Sequence, residues 1–264
     1  MIDPFAPRVG CIMSADIAVP QHERVVRFYA RVLSTGENPL WREDLMNNCG
    51  MAIIGLGACS AEYADLPLQW MPHIQVADVA RSVERALELG GSVVYASGDA
   101  EPSQWAALLD PNGAAFGLIP VVSKDEIPSR EGDASRDAAA SIGCISWLDL
   151  TVANASATRD FYQKVVGWSV QDVAMEDTSE RYADYSMLGD DGNPAAGVCH
   201  ARGVNVGLPP IWMLHLPVGD LAESLRRVQE GGGKIVKETT GGDGGYAYAV
   251  VQDPVGACLA LVPG

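Results

Sequence analysis

The chain contains no cysteine pair at Cys-x-x-Cys spacing, no apolar run long enough to span a bilayer, and no basic region followed by a long apolar core at its N-terminus. It is also short of positive charge: 18 Lys and Arg stand against 34 Asp and Glu, for a formal net charge of -16. Each shortage excludes something. The field of so acidic a protein repels nucleic acid and anionic membrane surfaces, so neither is an expected partner. Without a leader or a spanning segment, a cytoplasmic protein is the expectation. The six cysteines (Cys11, Cys49, Cys59, Cys144, Cys199, Cys258) are scattered, and Cys11 and Cys144 hold equivalent places in apolar strands, which reads as buried free thiols. Nucleophile-elbow and dinucleotide fingerprints are missing. The glycine-rich run Gly241-Gly242-Asp243-Gly244-Gly245-Tyr246 lacks the Lys-Ser/Thr of a phosphate-cradling loop.

What the chain does have is a duplication. Trp70-Met71-x-His73-x-x-Val76-x-Asp78 returns as Trp212-Met213-x-His215-x-x-Val218-x-Asp220. Gly10-Cys11-Ile12 with Asp16 and Val19 returns as Gly143-Cys144-Ile145 with Asp149 and Val152, and Phe28-Tyr29 returns as Phe161-Tyr162. Gly90-Gly91 recurs as Gly232-Gly233, and Asp110-Pro111-x-Gly113-Ala114 as Asp253-Pro254-x-Gly256-Ala257. The offset grows from 133 at the first of these motifs to 143 at the last, so the second copy carries loop insertions.

A length of 264 residues divides into two units of ordinary domain size. The boundaries read from the repeat are residues 8–122 and 142–264, joined by a charged and small-residue linker over 123–141. Each copy opens with a strand (Val9 to Val19, Ile142 to Val152) and an amphipathic helix. The first helix runs from Gln21 to Leu33 with Val25, Phe28, Tyr29, Val32 and Leu33 inward, the second from about Ser156 with Phe161, Tyr162, Val165 and Val166 inward. His22, after Pro20 at a helix start, is expected to be exposed. A second strand–helix unit begins at each Trp-Met motif, where Asp78 and Asp220 are expected N-caps and Gly90 and Gly231 expected stops. Val79, Val83, Ala86 and Leu87 are matched to Leu221, Leu225 and Val228 as the inward stripe. Short strands follow over Ser92 to Ala96 and Lys234 to Lys237, then two strands joined by the Asp-Pro-x-Gly turn.

This layout resembles the glyoxalase/bleomycin resistance protein/dioxygenase group, the vicinal oxygen chelate (VOC) superfamily, over nearly the whole chain. The signals are Phe-Tyr in the first helix, Gly-Gly closing the second, and Asp-Pro-x-Gly before the last strand, with Trp147-Leu148-Asp149-Leu150 and Gly167-Trp168 in the second copy. The resemblance implies an α+β fold: two tandem VOC domains, each of paired βαβββ modules forming a cup-shaped mixed sheet with helices outside.

Members with known chemistry hold a divalent metal inside the cup on His, Gln or Glu. Carried over by position, the resemblance places the first-strand ligand at Ser14 and Trp147, the fifth-strand ligand at Met71 and Met213, and the last at Gly117 and Ala260. Indole has no lone pair to give, thioether is soft, and Gly and Ala offer no donor. No metal and no other cofactor is therefore expected. Cys199 and His200 lie in the region of the fourth-strand ligand, but neighbours along a strand point to opposite faces and do not chelate together.

Strand alternation puts Asp16 on the face of position 14 and His73 on that of position 71, and likewise Asp149 and His215. Two readings stand. An Asp beside a His gives a general acid–base pair near neutral pH, or the pairs are buried polar contacts that tether the modules. Trp147, Met71 and Met213 either line an apolar ligand pocket or fill the core, with Trp147 the favoured lining residue. Trp70 and Trp212, one residue before each Met, turn toward the helices as core. Tyr246 and Tyr248 are candidate contacts of a glycine-rich lid beside the second cup. The expected function is binding, with or without transformation, of a small molecule in a cup without metal, the second cup being favoured. The alternative is a divalent-metal lyase, isomerase or dioxygenase. A small-molecule ligand is the expected partner, and homodimerisation stays open.

Overall fold

The computed structural model describes residues 7–34, 41–42, 45–48, 51–96, 105–123, 145–178, 180–240 and 246–264. Most of the linker (124–141) and the glycine-rich run (241–245) lie outside these residues, as do Cys49 and Cys144. The first copy runs β1 (Ile12–Val19), α1 (His22–Val32), β2 (Trp41–Arg42), β3 (Leu45–Asn48), β4 (Met51–Ala58), β5 (Met71–Val76), α2 (Val79–Glu88), β6 (Ser92–Ala96), β7 (Ala106–Leu109) and β8 (Ala115–Pro120). The second repeats it: β9 (Trp147–Val152), α3 (Ala155–Val166), β10 (Ser169–Glu176), β11 (Arg181–Leu188), β12 (Pro194–His200), β13 (Trp212–Val218), α4 (Leu221–Glu230), β14 (Lys234–Thr240), β15 (Tyr246–Gln252) and β16 (Cys258–Pro263). This is βαβββ four times over.

The strands form two mixed sheets of equivalent order, β2-β3-β4-β1-β5-β8-β7-β6 and β10-β11-β12-β9-β13-β16-β15-β14. β1 pairs parallel with β4 and β5 with β8, while the outer strands are antiparallel hairpins. No described helix is long and apolar enough to cross a membrane.

Helix ends follow the local chemistry. Asp78 and Asp220 cap α2 and α4 by accepting from the Arg81 and Glu223 N–H groups, and Asn154 caps α3 through the Ala157 N–H. Gly90 follows α2 with a left-handed φ of 90°. The inward stripes are as expected with one correction: Leu87 is 51% exposed, and Ser82 is buried instead. The second copy has Gln229 at the place of Leu87, an outward position in either copy. The buried Ser82 and Ser224 are small enough to let another helix approach, and Ser224 donates its hydroxyl to the Val32 carbonyl of α1.

The chain divides into two compact units. One gathers β5–β8 and α2 with α3 and most of β9–β12; the other gathers α1 and most of β1–β4 with β13–β16 and α4. Each unit is built around one copy's Phe-Tyr and the other copy's glycine and Asp-Pro-x-Gly motifs. In the first unit Phe161 packs where a side chain on Gly91 would stand, at 3.3 Å, and Tyr162 donates to Asp110 Oδ2 at 3.4 Å while accepting from Trp212 Nε1 at 2.8 Å. In the second, Phe28 lies 2.9 Å from where a Cβ on Gly233 would be, and Tyr29 donates to Asp253 Oδ2 at 3.1 Å while accepting from Trp70 Nε1 at 3.4 Å. Each aspartate also gathers its own turn. Asp110 Oδ1 accepts from the Asn112 and Ala114 N–H groups, and Asp253 Oδ1 from those of Val255, Gly256 and Ala257. Both tryptophans are fully buried on the helix side, as the alternation predicts.

Candidate functional site

Because Trp212 turns toward Tyr162 of α3, alternation turns Met213 and His215 to the opposite face of β13. On that face His215 is paired in register with Ala260 of β16, and Val250 of β15 with the same Ala260. Tyr248, two residues before Val250, brings its ring within 5.7 Å of the His215 imidazole, tilted by 52°. Both rings are half-buried, while Met213 and Ala260 are buried. Ser146 donates its N–H and its hydroxyl to the His215 carbonyl, at 2.9 and 3.0 Å, which ties the half-buried Trp147 at the start of β9 to the same strand. Met213, His215, Tyr248 and Trp147 therefore fall in one unit. The side chain of Tyr246 lies outside the described residues.

In the first copy His73 pairs in register with Gly117, and a Cβ on Gly117 would stand 2.6 Å from His73 Cδ2. The imidazole thus occupies the space above the position where the family resemblance places a last-strand ligand. Met71 is buried beside it along β5. Asp16 is exposed and lies over Gly55 of β4, where any side chain would collide with its carboxylate. Asp149 is half-buried and pairs in register with Gly197, the equivalent of Gly55. Glycine on the neighbouring strand makes room for each inward carboxylate.

An Asp–His contact absent from the sequence reading is found on β11 and β12. The ladder between these strands stops at Tyr185–Val198. Beyond it Asp184 Oδ1 accepts from the His200 backbone N–H at 2.8 Å and from His200 Nδ1 at 3.0 Å. Asp184 is 3% exposed. The Tyr182 and Tyr185 rings lie 5.7 and 6.1 Å from the imidazole, and the Arg202 guanidinium sits 4.3 Å over the outer ring of Tyr182. Burial, then the charges of Asp149 and Asp184, push the Cys199 thiol well above its ordinary range. The signal for Asp184 was present in Tyr182-Ala183-Asp184-Tyr185, a carboxylate inside an aromatic strand run, which demands a partner.

Two further expectations need correction. Cys59 is exposed and Cys199 half-buried, since each sits at a strand end; Cys11 and Cys258 are buried. His22 is not free on the surface: its Nε2 lies 2.8 Å from the Leu56 carbonyl, so it ties α1 to β4.

The donors at the positions the resemblance assigns to a metal do not fit a hard divalent ion. Ser14 and Trp147, Met71 and Met213, Gly117 and Ala260 supply between them no imidazole and no carboxylate. Among the described residues no three His, Cys, Asp or Glu side chains are grouped closely enough to hold one elsewhere.

Comparison with known proteins matches a family model to each copy. A family model described as the Glyoxalase/Bleomycin resistance protein/Dioxygenase superfamily matches residues 144–261, and one described as a Glyoxalase-like domain matches residues 13–119. "Putative glyoxylase CFP32" of Mycobacterium tuberculosis is 30% identical over 121 residues, 45% of each chain. The anthracycline biosynthesis protein DnrV of Streptomyces peucetius is 25% identical over 131 residues, 45% of this chain and 46% of that one. Each match thus spans about half the length of these curated relatives. Among solved structures, 2,2',3-trihydroxybiphenyl 1,2-dioxygenase from Sphingomonas wittichii covers 97% of this chain and 91% of its own, with a TM-score of 0.56 at 16% identity. A variant of homoprotocatechuate 2,3-dioxygenase from B. fuscum covers 98% and 73%, with a TM-score of 0.58 at 11% identity. These structures share the fold.

Proposed function

The chain belongs to the glyoxalase/bleomycin resistance protein/dioxygenase superfamily through both of its copies, and from that membership we propose that it binds a small molecule against the β13–β16–β15 face without a metal. The observation that carries this reading is the pairing of His215 with Tyr248 beside Met213 and Ala260. Two half-buried polar-edged rings stand beside Met213 and Ala260, the positions where metal-dependent relatives would need hard donors. Such a face supplies apolar contact and a few oriented polar groups, the usual composition of a small-molecule site. His215 and Tyr248 would orient the ligand by hydrogen bonding, and Met213 and Trp147 would supply adaptable apolar surface.

The test has two measurements. Metal analysis of protein purified without chelators is expected to show no stoichiometric divalent ion, and a stoichiometric catalytic ion overturns the reading in favour of a metal-dependent lyase, isomerase or dioxygenase. Thermal-shift screening across aldehydes, aromatic metabolites and thiol conjugates is expected to yield a stabilising ligand, worth about 2.7 kcal/mol at a hundredfold excess over Kd. His215→Gln and Tyr248→Phe should each weaken that shift. A ligand whose shift survives both substitutions binds elsewhere and refutes the assignment.

A further inference from the structure

The register that joins His215 to the strands beside it continues one strand further. His215 is paired with Ala260, Ala260 with Val250, and Val250 with Lys237 of β14, so the four stand in one row across the sheet and share a face. Tyr248 is paired with Thr239 in a neighbouring row of the same face. Ala260 and Val250 are fully buried, whereas His215, Tyr248, Lys237 and Thr239 are half-buried, so a solute reaches the polar side chains and not the apolar pair between them.

The chemistry of this face runs against the composition of the chain. In a protein with 34 acidic residues against 18 basic ones, β13 to β16 contain a single carboxylate, Glu238, which is paired with Ala249 and exposed on the other face. The ordinary pattern of a strand at a sheet edge is also inverted on β14, where Val236 is 44% exposed and Lys237 is turned to the half-buried face. An ammonium only donates, and imidazole, phenol and threonine hydroxyl can each donate as well. Such a set suits an acceptor that carries negative charge.

The first copy provides the comparison. Its row reads His73, Gly117, Ala107 and Tyr95, so Tyr95 stands where Lys237 does, and Trp105 stands where Tyr248 does. Those two rings stack at 4.7 Å, which shows that the two positions are neighbours. An inward lysine on an edge strand also discourages pairing with another chain. Yet β6 is an edge strand of its sheet just as β14 is, and it carries no charge. The lysine is therefore a property of the second face and not a requirement of the fold.

We propose that Lys237 makes the β13–β15 face selective for a small organic anion, its ammonium meeting the charge while His215 and Tyr248 orient the rest. This inference rests on the reading of that face as a ligand site and adds the class of ligand. The backbones of His215 and Lys237 are three strand spacings apart, about 14 Å, which a one-ring acid bridges with a side chain at each end. Lysine is a compact point charge, so a carboxylate and a sulfonate serve alike.

Phenylacetate and phenylacetamide have nearly the same shape and differ in charge. Titration of the full-length protein with each, followed by the His215 and Tyr248 ring signals in NMR, should show saturable movement, with phenylacetate binding about tenfold or more tightly. Added salt should weaken phenylacetate alone. In Lys237→Met the preference should vanish, phenylacetate falling to the level of the amide, while Lys237→Arg should keep it. Equal affinities in the wild type, or a preference that survives Lys237→Met, overturn the anion assignment and leave the ligand face standing. No movement with either probe up to its solubility also overturns the anion assignment, and the broader ligand screen then decides the face itself. Should Lys237→Met fail to fold, the wild-type pair of titrations and their salt dependence decide alone.

Discussion

Replacing Tyr29 by Phe removes one hydroxyl and breaks two contacts, and its cost can be set against that of the equivalent change at Tyr162. The Tyr29 hydroxyl donates to Asp253 Oδ2 at 3.1 Å and accepts from Trp70 Nε1 at 3.4 Å. All of the turn's backbone bonds fall on the other carboxylate oxygen, so Tyr29→Phe strips Asp253 Oδ2 of its tyrosine donor and leaves the buried indole N–H unserved. A hydrogen bond to a charged group is worth about 1.5–3 kcal/mol, and the long Trp70 contact adds a fraction of a further bond, so the loss should be about 2–3 kcal/mol. Tyr162 differs. Its bond to Asp110 is longer, at 3.4 Å, and Asp110 Oδ2 keeps a second donor in Asn112 Nδ2 at 3.1 Å, so the loss falls on Trp212 Nε1 and should be about 1–2 kcal/mol. Urea unfolding of the two variants and the wild type reads both values, with an unchanged m showing that the effect is on stability. A Tyr29→Phe cost below about 0.5 kcal/mol, or a larger cost at Tyr162, would refute the claim that these hydroxyls hold the Asp-Pro-x-Gly turns.

Three more outcomes follow from the same geometry. Burial raises the Asp253 carboxyl above its ordinary value against the bonds that lower it, so its contribution to stability is full below the ordinary carboxyl pKa and is lost as pH rises through the raised one. The stability difference between wild type and Asp253→Asn should therefore shrink as pH climbs from strongly acidic toward neutral, and a difference that grows in thermal melts across that range contradicts the shift. Expressed apart, 1–123 and 142–264 should each fail to unfold cooperatively, because Phe28 and Tyr29 then lack Gly233 and Asp253; mixing the two should restore a single sharp transition. Gly117→Ala puts a methyl 2.6 Å from His73 Cδ2 and should cost about 1–3 kcal/mol by overpacking, measured by urea unfolding, with a neutral outcome showing that the imidazole turns aside freely.

The fold was legible because its signals are local and were printed twice. Strand alternation turned Trp70 and Trp212 to the helices, Asp78 and Asp220 announced helix starts, and the Asp-Pro-x-Gly turns placed the last hairpins. What the sequence could not show is which copies of the motifs meet. Tyr29 reaches Asp253 across 224 positions, and no periodicity encodes a contact at that separation. Leu87 misled because an apolar residue at the margin of a helical stripe looks inward until the helix is docked, and Gln229 at the same place in the second copy was the available warning. Asp184 was missed for a related reason. Its partner, His200, lies sixteen positions away on the next strand, and the contact forms at the point where their ladder ends.

The two copies agree where their Phe-Tyr, Gly-Gly and Asp-Pro-x-Gly motifs meet and differ on the opposite sheet faces. The Tyr, the turn Asp and the Trp of each Trp-Met motif form the two Trp–Tyr–Asp chains, the Phe packs on the second glycine of each pair, and every one of these is identical in both copies. A substitution in one copy would strand a buried polar partner supplied by the other, so these positions are constrained in pairs. The opposite sheet faces carry no such debt. Ser14 stands against Trp147, Gly117 against Ala260, and Trp105 against Tyr248. His73 lies down over Gly117, whereas the methyl of Ala260 bars that posture to His215 and leaves its ring to meet Tyr248. One methyl group thus separates the two imidazole environments. Ala260→Gly should let His215 settle as His73 does, which would appear as loss of the His215–Tyr248 ring-current shift in the NMR spectrum; retention of that shift would show that something other than the methyl holds the ring up.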